Sequence, residues 1–148
     1  MSIIELFGAY AADFEKTLAD DDWSRLSQYF SEDAVYRVES DLFGCELTGC
    51  DSIFAGMKKS LDGFDRNFSQ REIAMTEGPD VEGDEMRVSW TVTYHKDGLP
   101  DFVLRGKSLV CIRDAKIVLL VDSYDERVNA EVADWMRETG VKLDPSYT

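Results

Sequence analysis

The residue best suited to chemistry in this sequence is an aspartate near the end of a strand-like segment. Asp122 follows Val118 and Leu120 at a spacing of two, so all three side chains are expected on one face of a strand. Burial of a carboxyl group among apolar neighbours raises its pKa, which suits it to proton transfer near neutral pH. The alternative is that the strand has already ended and Asp122 begins a polar turn with Ser123 and Asp125.

A second strand-like segment offers a phenol. Tyr36 precedes Val38 by two positions, so both side chains should share a strand face, where the hydroxyl of Tyr36 can bind a ligand oxygen. The alternative is a core tyrosine with its hydroxyl at the rim. Trp90 and Met86 alternate on the apolar face of a further strand, and they are interpreted as pocket wall or plain core.

The remaining reactive residue types do not form a recognisable catalytic or metal-binding pattern. The single histidine, His95, directly precedes a Lys-Asp-Gly turn, which favours a solvated hairpin position over catalysis. Asp20 to Asp22 are interpreted as a helix cap, since the glycine and closing glutamate of a calcium loop are missing. With one histidine, no clustered cysteines, no phosphate-binding loop and no dinucleotide motif, we expect neither metal nor cofactor.

Composition limits the class of protein. The chain has 148 residues, with 16 Lys plus Arg against 30 Asp plus Glu, so its formal net charge is −14. This length fits one domain with a real core. The acidity argues against nucleic acid and anionic membranes as partners. No apolar run approaches the ~20 residues of a membrane span. Three unpatterned cysteines and an N-terminus unlike a signal peptide predict a cytoplasmic protein with reduced thiols.

Helical spacing predicts three helices in the first part of the chain. The first carries an apolar stripe made of Ile3, Phe7, Tyr10, Phe14 and Leu18. The second follows the aspartate cap and buries Trp23, Leu26 and Phe30. Asp51 is expected to cap the third, which places Ile53, Phe54, Met57 and Leu61 inside.

The rest of the chain alternates with the period of strands. A short strand is predicted over 34–39, and four more over 70–76, 84–95, 101–113 and 116–124. Short connections between the last four predict an antiparallel meander. A closing helix is expected from Arg127 to Thr139, ended by Gly140. This is an α+β layout, and a twisted sheet bent around helices commonly leaves an apolar pocket.

Two segments resemble the nuclear-transport-factor-2-like superfamily. The stretch 26–36 (LSQYFSEDAVY) resembles its F-x-x-D-A signature, and the stretch 114–125 (DAKIVLLVDSYD) resembles the D-G-K-I-x-x-x-x-D ending of the SnoaL-like branch. The resemblance covers essentially the whole chain. It implies a single SnoaL-like domain over 1–148 with the cone-shaped cystatin-like fold, in which N-terminal helices pack on a curved, mostly antiparallel sheet.

The resemblance also gives expectations for individual positions. Compared with the steroid isomerases, Phe14 stands at the position of a catalytic Tyr, and Val38 and Ser108 stand at the positions of two catalytic Asp residues, which disfavours that reaction. Tyr10 lies one helical turn before Phe14 and could supply the missing phenol. Against the epoxide hydrolases, the water-activating set is mostly missing. Against the SnoaL-like cyclases, Asp122 stands at the position of the acid/base.

We therefore expect Asp122 and Tyr36 to be catalytic in a cofactor-independent isomerisation, cyclisation or dehydration of a small, largely apolar, oxygenated molecule. The residues expected to bind that molecule in the cone are Tyr10, Phe14, Val38, Trp90, Ser108 and Leu120. The alternative is a non-catalytic ligand carrier or a dimeric interaction domain. The resemblance also implies a homodimer.

Overall fold

The computed structural model describes residues 1–148. Three α-helices are present, α1 (Ile3–Asp20), α2 (Cys50–Gly63) and α3 (Glu126–Thr139), with 3₁₀ turns at Trp23–Tyr29 and Asp65–Asn67. The strands are β1 (Phe30–Glu39), β2 (Cys45–Thr48), β3 (Gln70–Glu82), β4 (Glu85–His95), β5 (Phe102–Arg113) and β6 (Lys116–Ser123). The α+β class predicted from the sequence is confirmed.

The six strands form one sheet in the order β2-β1-β6-β5-β4-β3. Every neighbouring pair is antiparallel except β1 and β6, which run parallel. The predicted meander of β3 to β6 is therefore confirmed, and the sheet is mostly antiparallel as expected. The spacing of the strands predicts no partner for β1. In the structure β1 pairs in parallel with β6, which brings the first strand of the chain beside the last one.

The second predicted helix is wrong in type. Residues 23–29 form a 3₁₀ turn, and Phe30 is the first residue of β1. The spacing of Trp23, Leu26 and Phe30 fits an α-helix, but the chain forms the tighter 3₁₀ turn. Phe30 is buried as a residue of strand β1. The expected aspartate cap is also wrong, since Asp22 makes no side-chain capping bond and Asp21 ends α1 in the left-handed region with φ 63°.

The other boundaries differ by small amounts. Helix α2 begins at Cys50 with Gly49 at its N-cap, so Asp51 lies in the first turn and is not the cap. Strand β2 was not predicted, because its four residues are too few to show alternation between two glycines. Strand β3 continues past the expected break at Gly78 to Glu82. Helix α3 ends at Gly140 with φ 74°, as predicted.

The helices cover the concave face of the sheet. The main core joins α1, α2 and strands β1, β4, β5 and β6, and a second cluster joins Phe64 and Phe68 to α3 and the β4–β5 hairpin. On β4 the predicted apolar face is buried at Met86, Val88, Val92 and Tyr94. The three cysteines are free thiols. None of the helices combines the length and apolarity that crossing a membrane requires.

Candidate functional site

A cavity of about 160 Å³ lies between the concave face of the sheet and the helices. Helix α1 contributes Phe7, Tyr10 and Phe14 to its wall, while α2, α3 and the C-terminal tail close the other sides. Of the 25 lining residues 18 are hydrophobic, and the charged ones are Glu15, Asp65, Arg71 and Asp122. A cavity of this kind suits an apolar molecule fixed by a few polar contacts.

The carboxylate of Asp122 lies at the cavity wall and accepts two short hydrogen bonds. The Tyr36 hydroxyl donates to Oδ2 at 2.7 Å, and the Ser108 hydroxyl donates to Oδ1 at 2.6 Å. Register explains the meeting, because Ser108 pairs directly with Asp122 across β5 and β6, and Tyr36 lies on the parallel neighbour β1. The two donors hold the carboxylate in one orientation.

The direction of these hydrogen bonds is fixed by a tryptophan. The indole Nε1 of Trp90 lies 2.9 Å from the oxygen of Ser108 and has a proton only to donate. The Ser108 hydroxyl therefore accepts from Trp90 and gives its own proton to Asp122. The result is a directed chain from Trp90 through Ser108 to the carboxylate.

The environment raises the pKa of Asp122. Burial is the largest cause, and the hydrogen bonds from Ser108 and Tyr36 act against it because they favour the charged form. The pKa of Tyr36 is raised well above its ordinary value, by burial and then by the negative charge of Asp122. Tyr36 therefore keeps its proton and donates it in a hydrogen bond, whereas Asp122 is the group of the two that gains and loses a proton.

Two further tyrosines surround the carboxylate. Tyr124 lines the cavity with its ring centroid 5.8 Å from that of Trp90. Both rings lie over the backbone of Gly106, where a Cβ would come within 2.6 Å of Trp90 and 3.0 Å of Tyr124. Tyr147 packs edge-on against Tyr36 at 5.6 Å. The glycine thus makes room for the aromatic wall beside Asp122.

Tyr147 reaches the cavity because the C-terminal tail lies along α2. The Ser60 hydroxyl donates to the carbonyl of Pro145 at 2.8 Å, and the Asp144 amide donates to the carbonyl of Gly63 at 3.0 Å. Sequence reasoning missed Tyr147, since the tail has no periodic pattern. It also missed Tyr124, although the spacing of two from Asp122 was a usable signal.

A second polar group lines the same cavity away from Asp122. Arg71 pairs with Glu15 through Nη1 and lies 3.2 Å from Asp65 through Nε, and the Tyr94 hydroxyl donates to Asp65 at 2.8 Å. Burial raises the pKa of Asp65 despite the guanidinium beside it. No pattern in the sequence pointed to this group, because its members come from α1, a 3₁₀ turn, β3 and β4.

The residues expected to bind the ligand lie mostly at the cavity. The lining includes Tyr10, Phe14, Trp90, Ser108 and Leu120 together with Asp122 and Tyr36.

Val38 is the exception among the expected binding residues. It is only 3% exposed in the main core and does not line the cavity. The connection after β1 contributes Phe43 to the wall, with its ring 4.9 Å from Tyr124.

His95 lies outside the cavity on the β4–β5 hairpin. Its Nδ1 is 2.8 Å from Asp101 and its Nε2 is 3.3 Å from Asp97, and hydrogen bonding to Asp101 raises its pKa. The hairpin position predicted for His95 is therefore observed. No group of three or more His, Cys, Asp or Glu side chains is arranged to hold a metal ion.

Comparison with known proteins identifies the kind of domain. The family model of the SnoaL-like domain matches residues 11–120. Curated proteins gave no match. A Pseudomonas putida KT2440 protein assigned as a polyketide cyclase has a similar structure, with a TM-score of 0.63, 22% identity, and coverage of 88% of this chain and 97% of that one.

Two other solved structures show the same fold. TerC, co-crystallised with polyporic acid, has a TM-score of 0.65 at 19% identity, with 90% of this chain and 97% of that one covered. A Bacillus subtilis protein assigned as an isomerase has a TM-score of 0.66 at 16% identity, with 97% and 99% covered. At these identities the likeness establishes the cone-shaped fold.

Proposed function

This chain belongs to the SnoaL-like domain family, and from that premise we propose that it binds a small, largely apolar, oxygenated molecule and exchanges a proton with it through Asp122. The observation that carries the proposal is the position of the Asp122 carboxylate, at the wall of an apolar cavity between two donors. The names of two structural neighbours, a protein assigned as a polyketide cyclase and one crystallised with polyporic acid, support a small organic ligand.

The proposed reaction needs only the chain's own side chains. Asp122 removes a proton from a carbon next to a carbonyl group, and the resulting enolate accepts the proton back at another carbon, attacks a second carbonyl, or expels a hydroxyl group. These outcomes are isomerisation, ring closure and dehydration. The raised pKa of Asp122 suits both halves of the exchange, since the carboxyl must accept the proton and then return it.

In this proposal the two donors to Asp122 have a positioning role. Tyr36 and Ser108 already donate to Asp122, so they orient the base and are not free to polarise a ligand carbonyl. Tyr124 lines the cavity, and its hydroxyl makes no hydrogen bond within the protein. Burial, and then the charges of neighbouring groups, raise its pKa well above the ordinary value, so the hydroxyl keeps its proton. We assign Tyr124 as the donor to the ligand oxygen.

Deuterium exchange tests the proposed base without knowledge of the natural substrate. β-Tetralone, an apolar bicyclic ketone with exchangeable protons next to its carbonyl, is incubated in heavy water and followed by NMR. We expect the wild type to speed the exchange and Asp122→Asn to lose at least about tenfold of that rate, since general-base catalysis typically contributes 10²- to 10⁴-fold. Asp134→Asn, on the exposed face of α3, is the matched control and should keep the wild-type rate.

A ligand carrier is the second candidate, and one observation favours it. Both oxygens of Asp122 already accept protein hydrogen bonds, which is the arrangement of a satisfied structural carboxylate. The same experiment separates the two functions. Equal exchange rates for wild type, Asp122→Asn and the control would overturn catalysis, and thermal stabilisation of all three proteins by the ketone would then support the carrier.

We also propose a homodimer formed through the open part of the sheet. Ile73 and Met75 on the edge strand β3 are 55% and 60% exposed, which is unusual for apolar side chains on a strand. Light scattering on the purified protein should give about twice the 16.8 kDa of one chain. Met75→Lys, at a residue that does not line the cavity, should return the monomer mass, and a monomeric wild type would refute the proposal.

A further inference from the structure

We propose that the ligand is two-ended, with one polar group at Asp122 and a second, uncharged oxygen bound by the guanidinium of Arg71 at the far end of the cavity. The inference rests on the proposed function, because it assigns a second subsite in the same cavity. It names a class of ligand: an elongated apolar molecule with a carbonyl-type acceptor opposite its reacting end.

Arg71 lies at the cavity wall and is held there by two ion pairs. Its side chain is 12% exposed, lines the cavity, and is fixed between Glu15 on α1 and Asp65 ahead of β3. Tyr94 secures Asp65 in turn with a 2.8 Å hydrogen bond. A guanidinium fixed in this way presents its remaining N–H groups in a defined direction.

Arg71 has N–H groups that make no hydrogen bond within the protein. A guanidinium carries five N–H groups, and the hydrogen bond that Arg71 makes is from Nη1 to Glu15. Its Nε is enclosed by the protein beside an Asp65 oxygen at 3.2 Å, whereas Nη2 donates no hydrogen bond and is the group that a ligand can reach. An N–H group at an apolar cavity wall gains free energy when it finds an acceptor, so a ligand oxygen at Nη2 would be stabilised here.

The charge of the cluster around Arg71 limits the kind of acceptor that can bind there. Two carboxylates, Glu15 and Asp65, face one guanidinium, so the cluster has no positive charge left over. A ligand carboxylate would meet like charges in an apolar cavity, where they are poorly screened. The acceptor expected at Arg71 is therefore a neutral oxygen such as a ketone.

The two polar ends of the cavity are far apart along the sheet. In the register of the sheet, Asp122 on β6 lies opposite Ser108 on β5, which lies opposite Val88 on β4. Arg71 on β3 lies opposite Tyr94, which is six positions further along β4. Six residues of strand span about 20 Å, part of which the long side chain of Arg71 covers. The inward side chains between the ends are apolar, including Val92, so a ligand touching both ends needs an apolar body of about two rings.

Biphenyl probes test the second end. Each probe has a hydroxyl group on one ring for the Asp122 end, and on the other ring an acetyl group, an isopropyl group of similar size, or a carboxylate. Affinities are measured by calorimetry for the wild type, for Arg71→Met and for Arg105→Met. The last is a matched control, because Arg105 also pairs with a glutamate, Glu131, but does not line the cavity.

The expected result is a change in a ratio of affinities. In Arg71→Met the preference for acetyl over isopropyl should fall about three- to tenfold, as one lost hydrogen bond predicts. In Arg105→Met it should be unchanged. An unchanged preference in Arg71→Met overturns the two-ended ligand and leaves the proposed function standing. If none of the three probes binds the wild type, the two-ended ligand is overturned, and the exchange of β-tetralone protons decides the proposed function separately.

A second variant keeps the test decisive if Arg71→Met does not fold. Glu15 is 40% exposed, so Glu15→Gln should fold, and it removes one of the two negative charges at Arg71. We expect the carboxylate probe to gain affinity relative to the acetyl probe in this variant. No relative gain would contradict the assignment of Arg71 as the second binding group.

Discussion

Trp90 and Ser108 are joined by a 2.9 Å hydrogen bond that fixes which way the serine proton points. The indole can only donate, so the Ser108 hydroxyl directs its proton to Asp122, 2.6 Å away. A side chain on β4 thus sets the hydrogen bonding of a carboxylate on β6 through one residue of the strand between them. The consequences of this chain can be measured by substitution.

Ser108→Ala should destabilise the protein by about 1–3 kcal/mol. The change leaves the Trp90 N–H without its acceptor and removes one donor from Asp122, and unsatisfied buried polar groups cost about this much. Urea denaturation measures the free energy of unfolding. Ser24→Ala on the exposed 3₁₀ turn is the control and should change stability by less than about 0.5 kcal/mol. Equal effects of the two variants would contradict the hydrogen-bonded chain.

Tyr36→Phe should raise the pKa of Asp122 further. The Tyr36 hydroxyl lowers that pKa by hydrogen bonding to the charged carboxylate, and phenylalanine cannot do so. Isotope-edited NMR of the aspartate carboxyl carbons follows the titration directly. Tyr147→Phe is the control, because its hydroxyl lies 3.5 Å from that of Tyr36 and makes no bond to Asp122. A shift as large in the control would argue against a specific role for Tyr36.

Asp122→Asn should become more stable relative to the wild type as pH rises. A carboxyl whose pKa is raised by folding holds more protons in the native state, so its contribution to the unfolding free energy falls as pH increases from its ordinary value of 3.8 through the raised one. Asparagine removes this dependence. Denaturation curves across that interval measure the difference between the two proteins.

Asp20→Asn is the control of opposite sign for this pH dependence. Hydrogen bonding to Arg25 lowers the pKa of Asp20 to about 2. The ionised carboxylate therefore adds to the free energy of unfolding above pH 3.8, and this addition is lost as pH falls toward about 2. The wild type should therefore lose its advantage over Asp20→Asn on acidification. The same sign for both variants would contradict the burial of Asp122.

Gly106→Ala should destabilise the protein by about 1–3 kcal/mol, the usual cost of overpacking. The new methyl group would lie 2.6 Å from the Trp90 ring and 3.0 Å from the Tyr124 ring, so at least one ring must move. Gly8→Ala is the matched control, because a Cβ there meets nothing within 4 Å and alanine favours the α1 helix by about 0.5–1 kcal/mol. Thermal unfolding should shift in opposite directions, and a neutral Gly106→Ala would show that the rings are loosely packed.

Periodicity predicted the elements whose side chains alternate between core and solvent over many residues. The stripe of α1 and the alternation of β4 both carry enough buried positions to be recognised. The 3₁₀ turn before Phe30 could not be recognised, since the spacing from Leu26 to Phe30 fits a helix equally well. The parallel pairing of β1 with β6 depends on long-range contacts that leave no local pattern.

Only the residues of the candidate site that lie in alternating strands could be predicted from the sequence. Asp122 was found because it continues an alternating strand, and Tyr36 because it shares a face with Val38. Arg71 and Asp65 lie among charged residues that resemble surface positions, and they are buried by contacts with distant elements, including Glu15 of α1 and Tyr94 of β4. Such residues become site residues through packing, which the sequence does not display locally.

The parallel pairing of β1 with β6 also determines when the site can exist. Tyr36 and Asp122 are 86 positions apart, so a growing chain exposes β1 with one unpaired edge until nearly all of the sheet has been synthesised. Contacts of such sequence separation are slow to form, and exposed strand edges are prone to association. The pocket is thus completed by the last strand and the tail, and we expect nascent chains that stop before β6 to depend on chaperones.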